Sequence, residues 1–160
     1  MKHRLGIFLV AAVFIAAGLL GGLSAAQSST DTPAGLDDTT PPEVTILSPE
    51  AGHIHFVGIE LFRNPFGLTM TLGAFLLRPG IAVAIDNVDH SSELTVTVNL
   101  DDKPGMTATF VPCDNTFEWQ GSLGPGFGIY TLKVSAEDTS GNTGTAEMQV
   151  FYDCILSVSG

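Results

Sequence analysis

Alternation of apolar and polar residues is cleanest over Ile129–Tyr152. Tyr130, Leu132, Val134 and Ala136 share one parity, against Thr131, Lys133, Ser135 and Glu137. After Asp138-Thr139-Ser140-Gly141-Asn142 the alternation resumes with Ala146, Met148, Val150 and Tyr152. Side chains two apart on a strand point to the same face, so this stretch predicts a hairpin with one buried side. A lone hairpin is barely stable in water, and other strands must cover it.

The rest of the chain offers them. Glu43–Ser48 predicts a short strand with Val44 and Ile46 inward. Ile81–Asp86 predicts another with Ile81, Val83 and Ile85 inward. Glu93–Leu100 alternates Leu94, Val96, Val98 and Leu100 against threonines and Asn99. Met106–Val111 and Thr116–Gln120 complete the set, the latter with Phe117 and Trp119 on its inner face. Gly, Pro, Asp and Asn stand between these runs. Short strands at regular spacing with turn residues between them predict an all-β sandwich.

Residues 53–79 fit this scheme least well. His53–Phe62 reads as a strand, Asn64-Pro65-Phe66-Gly67 as a turn, and Leu68–Leu77 as a strand returning to form an inserted hairpin. This hairpin is more apolar than an edge should be, so its outer face is a candidate interaction surface.

The first residues read differently. A basic start (Lys2, His3, Arg4), an apolar run over Leu5–Leu20 and small residues at Ser24-Ala25-Ala26 form a secretory signal, with cleavage expected after Ala26. The alternative is an uncleaved N-terminal anchor, which would be the only membrane contact. Residues 27–42, rich in Ser, Thr, Asp and Pro, read as a disordered linker. The sandwich then occupies 43–154, with a tail at 155–160.

Composition narrows the partners. Net charge is −11, and the leader holds Lys2 and Arg4 but no acid, so the exported part is more acidic still. Such a surface repels nucleic acid and anionic lipid. An envelope protein or a polysaccharide remains a candidate partner, with oligomeric state open. The two cysteines of an exported chain, Cys113 and Cys154, are expected to pair. Closing that loop would be worth about 4 kcal/mol on the chain-entropy account.

Two motifs resemble a known group. Thr39-Thr40-Pro41-Pro42-Glu43-Val44-Thr45-Ile46 with Ser48-Pro49 is similar to the entry strand of bacterial and archaeal immunoglobulin-like, fibronectin-III-like domains of exported surface proteins. Tyr130–Val134, Ala136-Glu137-Asp138 and Ser140-Gly141-Asn142 resemble the last hairpin of such domains. The resemblance covers about residues 41–152 and implies an immunoglobulin-like sandwich of about seven to nine antiparallel strands. It also implies a binding or structural role, as a spacer, adhesin-like module or protein-interaction domain, rather than a fixed chemistry.

Candidate chemistry is sparse. In an immunoglobulin-like sandwich the loops carrying Asp86, Asn87 and Asp89 and those carrying Asp138 and Asn142 emerge at one end. Asp86, Asp89, Asp138 and Asn142 are therefore the candidate calcium ligands, although tight turns call for the same residue types. The alternative function is accordingly a carbohydrate- or calcium-binding accessory module. His53 and His55 share a strand face and are a weaker metal pair. Trp119 could stack on a sugar, but its parity with Phe117 favours the core. No nucleophile elbow, phosphate loop or His-Glu-x-x-His motif occurs, and no catalytic residue or other cofactor is expected.

Overall fold

The computed structural model describes residues 38–154, apart from residue 102. The expected leader (1–26), most of the linker (27–37) and the tail (155–160) lie outside the described residues. Eleven strands follow in chain order. They are β1 (Glu43–Ser48), β2 (His53–Phe56), β3 (Ile59–Arg63), β4 (Thr69–Leu72), β5 (Phe75–Ile85), β6 (Thr95–Leu100), β7 (Met106–Thr107), β8 (Thr109–Val111), β9 (Thr116–Gly121), β10 (Gly126–Glu137) and β11 (Thr143–Cys154). One four-stranded sheet has the order β1-β5-β9-β8, and one seven-stranded sheet the order β3-β2-β4-β11-β10-β6-β7. The fold is all-β, with the core between the two sheets.

The hairpin β10–β11 anchors the larger sheet. It pairs without a slip from Gly126↔Cys154 to Glu137↔Thr143, and β6 pairs with its other side, Val98 opposite Val134. Leu132, Val134, Ala136, Val150 and Tyr152 are buried from this hairpin, and Leu94, Val96, Val98 and Leu100 from β6 and its approach. All were expected inward from their alternation.

β5 turns the opposite way from expectation. Ala82 and Ala84 are fully buried, whereas Ile85 is 57% exposed and Ile81 and Val83 are half-buried on the outer face. The reason lies across the sheet. Gly80 pairs with Trp119 and Ala82 with Phe117, and a Cβ on Gly80 would sit 2.0 Å from the indole. The two large rings fill the space between the layers, so the facing positions must be small. Since side chains alternate strictly, the isoleucines then point outward.

Residues 53–79 form three short strands and the start of β5, not an inserted pair. The turn falls at Val57-Gly58, both with positive φ (47° and 90°), the requirement of a two-residue hairpin loop. β3 therefore returns beside β2, with Leu61 bulged between the Ile54↔Phe62 and His55↔Glu60 pairs. Asn64 does shape a turn, accepting from Phe66 N–H (3.1 Å) and donating to Leu68 C=O (2.7 Å). That turn feeds a crossover: β4 runs parallel to both β2 and β11. At Gly73-Ala74 the chain leaves the larger sheet, and β5 begins in the other.

No disulfide joins Cys113 to Cys154. Cys113 lies in the turn after β8, beside Thr116 at the start of β9. Cys154 pairs with Gly126, just beyond the other end of β9. The six residues of β9 span about 17 Å, whereas a disulfide needs Cα atoms about 4.4–6.8 Å apart. The buried Cys154 thiol instead lies 3.4 Å from Ser122 Oγ, which is also 3.4 Å from the Tyr152 hydroxyl. Burial pushes the Tyr152 hydroxyl up to about 12, against a smaller downward pull from Ser122.

Candidate metal centre

Three segments meet at the end of the sandwich where β10 turns into β11: that turn, the loop after β5, and the chain entering β1. Each begins with an aspartate that folds its own loop. Asp138 Oδ1 accepts from the N–H groups of Ser140 (2.9 Å) and Asn142 (2.8 Å). Asp86 Oδ2 accepts from Val88 (2.8 Å) and Asp89 (2.9 Å). Asp38 Oδ1 accepts from Thr40 (3.0 Å). These are the local side-chain-to-backbone bonds for which turns select Asp.

Tertiary packing then brings the three carboxylates together, one oxygen of each within 4.8 Å of the others. Asn142 Nδ2 ties the group, donating to Asp138 Oδ2 (2.7 Å) and to the Asp38 C=O (2.8 Å). Gly144 makes room for the entering chain, since a Cβ there would meet Pro42 C=O at 1.7 Å. Asp89 stands apart from the cluster. Its carboxylate accepts from Thr139 N–H (2.8 Å) and Thr139 Oγ1 (2.9 Å), stapling the two loops to each other.

Charge is poorly balanced here. Asp38 Oδ2 and Asp86 Oδ1 are buried without a hydrogen-bond partner, and a buried carboxylate oxygen without one is costly. Burial also pushes the Asp138 carboxyl up, but the bonds from Asn142, Ser140 and Gly141 outweigh it, leaving that group below its ordinary value and ionised. Among the described residues no lysine or arginine forms a salt bridge with any of the three. An all-oxygen set of three carboxylates suits a hard divalent cation, and calcium takes six to eight such oxygens. The donors present fit that chemistry.

Of the expected ligands, Asp86 and Asp138 converge, while Asn142 and Asp89 act as struts. Asp38 lies outside the expected set, because residues 27–42 read as a linker throughout. Residues 38–42 are instead tied to the domain, with Pro42 buried. The acidic pair Asp37-Asp38 directly before the stiff Thr-Thr-Pro-Pro entry was the available signal.

The histidines do not pair as a metal grip. His55 is 1% exposed, and its Nε2 accepts from Glu50 N–H (3.1 Å). Its Nδ1 therefore carries the proton, and that atom is buried without a partner. Burial lowers the His55 pKa below the ordinary histidine value, against a smaller upward pull from the Glu50 backbone and the Glu60 charge. His53 sits instead between Glu50 (3.6 Å) and Glu60 (3.8 Å). Trp119 is 2% exposed and packs edge-on against Phe75 (5.9 Å), so it offers no stacking face.

No protein-family model matches the chain, and no curated protein matches it.

Proposed function

We propose that the domain is a non-catalytic, immunoglobulin-like structural module of an exported surface protein, and that calcium held by Asp38, Asp86 and Asp138 locks the entering chain to one end of the sandwich. The observation that carries this reading is the pair of buried, partnerless oxygens on Asp38 and Asp86 beside the ionised Asp138. A cation satisfies both oxygens and removes the repulsion among three like charges. Calcium suits the site better than magnesium, because it accepts irregular carboxylate-rich shells and magnesium holds its waters in a strict octahedron.

The immunoglobulin-like part is supported by strand order. β1-β5-β9-β8 matches the A-B-E-D sheet of such domains, and β11-β10-β6 matches their G-F-C sheet. Because one ligand precedes β1, cation binding stiffens the approach to the domain rather than its middle. That property suits a spacer or presentation module working where calcium is abundant, with an affinity in the 10⁻⁴–10⁻³ M range of extracellular modules.

A thermal melt with calcium and with chelator tests the reading. Saturation at about 100 times the dissociation constant adds about 2.7 kcal/mol, a rise of roughly 10 °C for a domain of this size. Asp86→Asn and Asp138→Asn should abolish the rise. Equal midpoints for the wild type with and without calcium would reject the site.

A further inference from the structure

The outer face of the larger sheet is apolar over five neighbouring strands. Cross-strand partners project to the same face. Ile129, Phe151, Met70, Ile54 and Phe62 are successive partners across β10, β11, β4, β2 and β3. One pleat further, Phe127, Asp153, Leu72, Phe56 and Ile59 form a second row. Asp153 is the single charge in the two rows, on a chain of net charge −11.

This face is open to water. Phe56, Phe62 and Phe127 are 53%, 59% and 68% exposed, and Ile129 is 63% exposed. At ~200 Å² per phenylalanine the three rings alone leave on the order of 350 Å² uncovered. That already lies within the range of the largest patch on a typical monomer. Five strands span roughly 20 Å, and with the isoleucines and the rim the face approaches the ~800 Å² per partner of a standard interface.

We propose that this face is covered by the same face of a second copy, in an isologous dimer. The surface is broad, two pleats deep and nearly uncharged, so its complement must be flat and apolar as well. A second such sheet meets that need, because stacked sheets pack about 10 Å apart with strands nearly aligned. Pairing the two faces buries the apolar rows while the acidic surfaces stay in water. Anionic lipid is disfavoured by charge, and within the two rows a basic ligand would find one carboxylate, Asp153, to meet it. The Asp153 carboxylate is the one group that opposes self-pairing, since both copies bring it in.

Sedimentation velocity of the purified protein across a concentration series tests the proposal. The wild type should shift from monomer to dimer. Phe62→Ser with Phe127→Ser should stay monomeric, with an unchanged circular dichroism spectrum and, at concentrations below the wild type's dimer dissociation constant, an unchanged melt. Single Phe127→Lys should weaken the dimer by at least about tenfold. Asp153→Asn should tighten it, whereas neutralising a contact to a basic ligand would weaken binding of that ligand. A wild type that stays monomeric near millimolar concentration overturns the proposal. So does a double variant that dimerises like the wild type, or a monomeric wild type that floats with zwitterionic vesicles. The face lies on the order of 30 Å along β10 from the carboxylate cluster. Chelator should therefore leave the dimer intact, and each proposal can fail without the other.

Discussion

The hairpin β10–β11 and the segment from His53 to Leu77 are both rich in alternating apolar residues and opposite in legibility. In the hairpin one face of each strand is apolar toward the core and the other largely polar, until the pattern breaks at Phe127, Ile129 and Phe151. In β2, β3 and β4 the polar residues His55, Thr69 and Thr71 face inward and are buried. The apolar ones, Ile54, Phe56, Phe62, Met70 and Leu72, share the outer face. The difference teaches that alternation reports which faces differ, but not which of them is covered.

The largest expected effect lies in the hairpin. Leu132 is 1% exposed at the centre of the core, so Leu132→Ala should cost about 3 kcal/mol, a fall of roughly 12 °C in melting midpoint. Loss of under 1 kcal/mol would mean the hairpin does not organise the core, and the contrast between the two regions would collapse. A smaller loss is expected in the other region, from Gly58→Ala. A Cβ there would meet Arg78 C=O at 2.0 Å, at a φ of +90°. The β2–β3 turn is also bonded to its neighbours, Val57 N–H to Leu72 C=O (2.8 Å) and Leu77 N–H to Val57 C=O (3.0 Å). Displacing it should cost about 1–3 kcal/mol. An unchanged melt would show that residues 53–72 are a loose flap and not part of the sheet.

These contrasts explain which elements are legible in the sequence. The strands of the hairpin and β6, and the burial of Phe117 and Trp119, were legible because each strand has one wet and one dry face. In β5 the pattern points the wrong way. Its larger residues looked like the core, and only the pairing of Gly80 with Trp119 makes the alanines the inner face. The turn at Val57-Gly58 was hidden because Val57 is a poor advertisement for positive φ, while Asn64-Pro65-Phe66-Gly67 advertised a hairpin and supplied a crossover. At the carboxylate end, turn chemistry marked Asp86 and Asp138. The contribution of Asp38 depends on a contact between segments about a hundred residues apart (Asn142 to Asp38 C=O), which no local pattern encodes.

The gentlest probe of the comparison is pH, acting through His55. This ring lies on the inner side of the region whose outer side is bare, with one nitrogen bonded to Glu50 N–H and the other buried without a partner. Burial lowers its pKa below the ordinary 6.5. The unfolded chain therefore binds the proton more readily than the folded one. Stability from the neutral ring is complete above pH 6.5 and declines as the pH falls below it toward the folded value. The melting midpoint should accordingly drop between pH 7.5 and pH 5.5. The drop should shrink in His55→Phe, which keeps an aromatic ring in the slot and removes the titration. Glu50 and Glu60 face the same ring and oppose the effect, so Glu60→Gln should enlarge it. A midpoint flat across this range in the wild type would mean the slot admits water. The inner face of β2 would then be as open as its outer face, unlike the buried inner face of the hairpin.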